Sequence, residues 1–227
     1  MSLGYSNIRM RYFLDGNRLK SVEEEKDLGV IVDEKLNFHS HIAEATAKAN
    51  KILGCIRRSI KFKDEQIILP LYKAHVRSRL EYGSVIWNPY QAQDRIRVER
   101  VQRRATKMVK GLENFTYEER LKKLELPSLQ HRRRRSDMLQ VFKIITELER
   151  IEAQNFFTPG TSYTRGHSKK LFKPRPRLDT RKNFFSLRVI DDWNSLPQHL
   201  IDSNDLDEFK TGLDELWADQ MFTNPFS

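Results

Sequence analysis

Cysteine is almost absent from this chain. Cys55 stands alone among 227 residues, which excludes an intramolecular disulfide and any cysteine-based zinc finger or knuckle. Long apolar runs are missing as well. No uninterrupted stretch approaches the length of a membrane span, and the N-terminal MSLGYSNIRMRYF lacks the apolar centre of a signal peptide. The expectation is a chain of the nucleus or cytoplasm with no membrane partner. Acid is scarce beside base: 41 Lys and Arg face 31 Asp and Glu, a formal net charge of +10. That balance favours an anionic partner, with nucleic acid ahead of a membrane surface. Adjacent aspartates occur once, at Asp191-Asp192, outside any strand–turn–strand pattern. His39 and His41 lie two apart, a spacing that does not share a helical face, and no third ligand is near. No convergent set of acids and histidines stands out, so no catalytic residue, metal site or cofactor is assigned, and metal-dependent nuclease chemistry is set aside.

What the chain does have is one strongly basic helical pattern. Within residues 98–109, Val98, Val101, Ala105, Met108 and Val109 recur at intervals that align them on one helical face. Arg97, Arg100, Arg104 and Lys107 repeat at the same intervals on another. Between 95 and 110 there are seven Lys/Arg, Arg103 included, against the single acid Glu99. Two readings stand: a cationic stripe matched to a phosphate backbone, or a solvated charged face.

The rest of the chain reads as mainly α, with a small β element first. Asp15-Gly16-Asn17 between extended residues is a hairpin signal. An acidic patch, Glu23 to Glu25, precedes an expected strand over Leu28–Val32, with Gly29 marking a bend. Residues 41–60 read as a helix with Ile42, Ala45, Ala49, Ile52 and Ile56 inward and Cys55 a small buried hydrophobe. A second helical region over 64–82 places Asp64 at its N-cap. It aligns Leu69, Tyr72, Val76 and Leu80, and kinks or starts at Pro70. Tyr82, Trp87 and Tyr90 read as packing across the next joint, with base stacking the other option. Gly111 ends the basic helix, Thr116-x-x-Glu119 fits a capping box, and Ser128 opens a helix with Met138, Leu139, Phe142, Ile145 and Leu148 in a stripe. Four consecutive arginines, Arg132 to Arg135, precede that stripe. Residues 158–182 hold eight Lys/Arg against Asp179 alone, with five Pro and Gly, and read as a basic loop or partly disordered connector. Phe185, Val189 and Trp193 then mark a short aromatic helix. The last helix, over 205–219, is acidic, with Phe209, Leu213, Leu216 and Trp217 on its apolar side.

Several of these stretches carry a resemblance. Tyr72, Val76, Leu80, Tyr82, Trp87 and Pro89, followed by Val98-Glu99-x-Val101-Gln102-Arg103-Arg104-Ala105, resemble the region after the palm in reverse transcriptases of non-LTR retrotransposons, jockey-like and CR1-like elements in particular. Leu129-x-x-Arg132-Arg133 and Phe142-Lys143-Ile144 continue the likeness. So does Phe185-x-x-Arg188, running on to Trp193-Asn194-x-Leu196-Pro197. The likeness covers roughly residues 10–217. It implies the end of the palm over 1–38, a helical thumb-like domain over 39–155, a basic linker over 156–184 and a C-terminal helical extension over 185–227. It also implies that Leu28 and Gly29 match a primer-grip turn. Arg97, Arg100, Arg103, Arg104, Lys107, Arg132 and Arg133 would then contact a template–primer duplex, RNA/DNA hybrid included, with the two basic stretches lining one concave face. The paired aspartates of such a polymerase have no match in this sequence. The chain therefore reads as a C-terminal fragment, not an enzyme by itself, whose partners include the upstream palm and fingers. The alternative is a helical protein-interaction module derived from such an element, with no nucleic-acid role.

Overall fold

The computed structural model describes residues 1, 3–4, 10–160 and 166–223. Two tight hairpins open it. β1 (Phe13–Leu14) pairs antiparallel with β2 (Asn17–Arg18), and β3 (Glu24–Asp27) with β4 (Val30–Asp33). Each turn places two residues at positive φ: Asp15 at 49° and Gly16 at 77°, then Leu28 at 43° and Gly29 at 86°. Paired positive φ gives the turn whose twist suits two adjoining strands. The second hairpin revises the expected strand over Leu28–Val32. Leu28 and Gly29 are the turn, and the acidic patch supplies the facing strand. The backbone decides this: the left-handed conformation at Leu28 is incompatible with a strand, and the Tyr82 hydroxyl holds the Leu28 carbonyl at 2.8 Å.

The remainder is mainly α, as the periodicities require. α1 (His39–Ser59) buries Ile42, Ala45, Ala49, Leu53 and Ile56, with Ile52 flanking them. Cys55, expected inside, lies on the exposed side of this helix. α2 (Glu65–Leu71) starts before Pro70 and passes through it. It widens into a π segment (Tyr72–Arg77) and closes as α3 (Ser78–Glu81). Proline has no N–H to complete an ordinary turn, and a wide turn next to it keeps the helix running. The stripe Leu69, Tyr72, Val76 and Leu80 is buried along its length. Asp64 caps α2 through its carbonyl, which accepts from Ile67 and Ile68, and not through its side chain.

α4 (Ser84–Trp87) is one turn after Gly83. It leads to α5 (Ala92–Lys107), then α6 (Tyr117–Lys123) behind the Thr116–Glu119 capping box. α7 (Leu129–Ile145) is capped by Ser128, whose hydroxyl accepts from the His131 N–H at 3.2 Å. Met138, Val141, Phe142 and Ile144 are its buried face. Leu148 lies past its end and is exposed.

Two apolar clusters form the core. The first runs from Val30 through α1–α6 to Leu129, and the second from Met138 to Trp217. α7 belongs to both. Its second half packs with α9 (Phe185–Arg188), α10 (Ile190–Asn194), α11 (Gln198–Ile201) and α12 (Leu206–Leu216), which follow the single turn α8 (Asp179–Lys182). Phe142 stacks on Phe209 at 4.3 Å. Leu216, expected inward, is exposed while Trp217 is buried.

The described part of the basic connector is irregular but fastened. Gly160 donates to Lys170, Phe172 donates to Thr158, and the Trp193 indole donates to the Lys169 carbonyl at 2.8 Å. Asn194 exchanges two hydrogen bonds with the Leu171 backbone, at 2.8 and 2.9 Å. The aromatic motif around Trp193 therefore anchors the connector as well as α7. Residues 161–165 of that stretch lie outside the described residues.

Candidate nucleic-acid interface

α5 is built on two opposite faces. Inward, Val98, Val101 and Ala105 sit in the first core together with three polar side chains, Glu99, Gln102 and Thr106. Glu99 is 0% exposed. Its Oε1 accepts the Tyr117 hydroxyl at 2.5 Å and the Leu129 N–H at 3.1 Å. Gln102 accepts from the Tyr72 hydroxyl at 2.6 Å and donates to the Tyr117 hydroxyl and the Pro127 carbonyl. Burial, with the Glu99 charge beside it, pushes both tyrosines well above the ordinary phenol range, so both remain donors. This network seats the start of α7 on α5. In the sequence Glu99 is the one acid in a basic run and a member of the series that carries the resemblance, with no structural role attached. Its position one residue after Val98, on the inward side, was the usable signal.

Outward, Arg97, Arg100, Arg104 and Lys107 are all exposed. Ten rises of about 1.5 Å between Arg97 and Lys107 make the row about 15 Å long. That matches about four phosphates of one strand, at about 3.4 Å of axis per phosphate. Arg104 is steadied by Asn50 of α1 at 2.9 Å, and Arg97 lies 3.7 Å from Asp94. Asp94 is buried, takes His39 as its main partner and leaves Arg97 mostly in solvent. Arg100 and Lys107 have no ion-pair partner among the described residues. Arg103 sits off the row, stacked over the Tyr117 ring at 5.0 Å.

The C-terminal half of the row, Arg104 and Lys107, lines a groove of about 570 Å³ between α1 and α5. Arg57 and Lys63 extend its lining, so four cations, with Arg104 and Lys107, face one acid, Glu113. The Lys110 N–H donates to the Lys63 carbonyl at 2.9 Å, tying the loop after α1 to the end of α5. Arg57 and Lys63 were missed in the sequence because they come from another element. The run Arg57-Arg58 followed by Lys61 and Lys63 carried the signal.

The second basic stretch is arranged otherwise. Arg132 pairs with Glu81, Arg134 with Asp192 and Arg135 with Asp214. Arg133 is 2% exposed. Four successive residues point around the whole circumference of a helix, and each of these arginines finds a partner inside the molecule. Arg132 and Arg133 therefore do not join the α5 row, and the expected single concave face over both stretches does not form. Leu28 is 84% exposed at a hairpin tip, and Gly29 lies against the Tyr82 ring. Tyr90 bonds Asn37 at 2.7 Å, and Trp87 is fully buried with its indole on the Tyr82 carbonyl. Packing, and not an open stacking platform, occupies Trp87. Asp191 and Asp192 face Lys173 and Arg134. His39 and His41 go to different partners, Asp94 and the Ile31 N–H.

No family model matches the chain, and no solved structure matches it. The chain is similar to an uncharacterized protein of Caenorhabditis elegans, with 29% identity over 119 residues. The match covers 47% of this chain and 56% of that protein, so the chain spans little more than half of that relative's length.

Proposed function

We propose that the chain is a thumb-like module gripping the backbone of a template–primer duplex, of the kind found after the palm in reverse transcriptases of non-LTR retrotransposons. The observation that carries this is the exposed row Arg97, Arg100, Arg104 and Lys107, whose Arg104–Lys107 end shares a groove with Arg57 and Lys63. The row projects from a helix whose other face is fixed in the core, so its charges are held at helical spacing without ordering a loop. Contacts of this type position a duplex and do not read its sequence. The module supplies grip, and nucleotidyl transfer belongs to a palm with paired aspartates. With primer–template, dNTPs and Mg²⁺, this chain alone extends nothing.

The test is Arg100→Gln combined with Arg104→Gln, which removes two charges and keeps helix propensity. Each phosphate neutralised contributes about −0.9 to the log–log salt slope on B-form DNA. The double variant therefore binds more weakly on every sequence, with a slope smaller by about two units. Its thermal stability stays close to that of the parent. Unchanged affinity and slope would leave the row a solvated face, and would favour the protein-interaction alternative.

A further inference from the structure

A second basic feature lies away from the α5 row. Arg95 of α5 and Arg133 of α7 line a cleft of about 180 Å³, together with Arg134, Arg188, Asp137 and Asp192. Both aspartates are occupied. Asp137 accepts from Arg188 through each carboxylate oxygen at 2.9 Å, and Asp192 accepts from Arg134 in the same way at 2.8 Å. The Arg133 Nε donates to Asn88 at 3.1 Å, while its buried Nη1 has no partner among the described residues. The buried Nε of Arg95 has none either. Glu99 acts on Arg133 through its charge, but its Oε1 is taken by Tyr117 and Leu129 and its Oε2 has no partner among the described residues. Four guanidiniums thus stand with three carboxylates, and two buried donors are left over. Unsatisfied buried donors are costly and uncommon in folded proteins.

We propose that this cleft is an oxyanion site that takes a phosphate group between Arg95 and Arg133. Guanidinium is the side chain best matched to such a group, because its planar N–H fork meets two oxygens at once. The size is compatible as well. Pockets for whole small molecules run from about 300 to 1,000 Å³, so a cleft of about 180 Å³ is of a size to seat a phosphate group. Burial holds the Arg133 pKa below its ordinary value, and the Arg95 charge acts in the same direction against Glu99 and Asp137. A bound dianion reverses that balance. The site is independent of the duplex grip.

The probe is inorganic phosphate, added to the full chain and compared with chloride at matched ionic strength. Phosphate raises Tm where chloride does not, by the mass action of a ligand that binds the folded state. Titration calorimetry then shows phosphate binding weakened about tenfold or more by Arg95→Gln and by Arg133→Met, each of which removes a charged hydrogen bond. The Arg95 side chain is half-buried and makes no hydrogen bond among the described residues, so Arg95→Gln keeps the test open if Arg133→Met does not fold. The pair Arg100→Gln and Arg104→Gln retains the phosphate shift, which separates this site from the α5 row. Equal Tm in phosphate and chloride overturns the proposal, and so does a phosphate shift that Arg95→Gln leaves untouched. A crystal grown in phosphate with only water joining Glu99 to Arg133 overturns it as well.

Discussion

Arg188→Met removes one guanidinium that ties three elements together. Arg188 donates twice to Asp137 of α7 at 2.9 Å, to the Val85 carbonyl of α4 at 2.7 Å and to the Asn183 carbonyl at 3.3 Å. Its side chain is 13% exposed and that of Asp137 8%. Solvent therefore screens the pair little, and methionine leaves the Asp137 carboxylate buried with the Asn88 amide at 3.5 Å as its remaining partner. Breaking a buried pair in this way costs about 3–5 kcal/mol. Domains are stable by about 5–15 kcal/mol, so the loss is a large share. At about 2–4 °C per kcal/mol for this size, Tm falls by about 6–20 °C. Burial already pushes the Asp137 carboxyl up, against the pull of Arg188. Without Arg188 that carboxyl takes up a proton more readily in the folded state than in the unfolded one. The deficit against the parent protein is therefore smaller at pH 5 than at pH 7. Urea unfolding followed by helical circular dichroism measures both effects. Adding Asp137→Leu removes the orphaned charge and restores most of the loss. A single variant within about 1 kcal/mol of the parent would show the pair behaving as a surface contact. A double variant as unstable as the single one would refute the electrostatic account.

Two further outcomes follow from burial. Burial holds His131 down to about 4, with Arg134 adding to the effect and Asp214 opposing it, while the unfolded chain titrates near 6.5. The unfolded state therefore binds the proton first. Stability is complete above about 6.5 and falls toward pH 4 at up to about 1.4 kcal/mol per unit. His41 and His167 are also lowered by burial and act in the same direction. His131→Asn should flatten part of that slope in urea midpoints measured across pH, and an unchanged slope would count against it. Cys55 is exposed. It reacts stoichiometrically with an aromatic disulfide reagent without denaturant, whereas reaction only after unfolding would restore the buried reading.

The helical periodicities were legible because burial follows them closely. The stripe Leu69, Tyr72, Val76 and Leu80, and the inward face Val98, Val101, Ala105, lie where spacing puts them. Capping at Thr116 and Ser128 was legible because a short side chain closing on a nearby N–H is a local event. What failed was whatever depends on another element. Leu28 reads as a strand residue until Tyr82 and Gly29 make it a turn. A helix turns at least one of Arg132 to Arg135 toward a neighbour, but the partners Glu81, Asp192 and Asp214 come from 51 to 79 residues away in sequence. The connector reads as loose until the Trp193 and Asn194 side chains fasten its backbone. The candidate site shows the same division: the α5 row is periodic and was visible, while Arg57 and Lys63 join it only through the packing of α1 on α5.

The same division limits what the resemblance can carry. Most of its quoted residues, among them Glu99, Gln102, Trp87, Arg133 and Trp193, lie in the interior, where they specify a fold. The proposed grip rests on the exposed row of α5, of which Arg104 alone belongs to the quoted series. Glu99 and Arg100 separate the two cases within one peptide bond. Glu99→Gln keeps an oxygen for the Tyr117 hydroxyl and the Leu129 N–H, but it removes the charge that strengthens both bonds and that offsets Arg133. The expected loss is about 1–3 kcal/mol, or about 2–12 °C in Tm. Below that Tm the α5 row is intact, so the salt slope of duplex binding is unchanged. Arg100→Gln should do the reverse. Its stability stays within about 0.5 kcal/mol, as for other surface substitutions, while the slope shrinks by about 0.9. Equilibrium unfolding and duplex titrations at several salt concentrations give both numbers for each variant. If Glu99→Gln alters the slope, or Arg100→Gln alters stability and leaves the slope alone, then α5 does not divide into a structural face and a binding face.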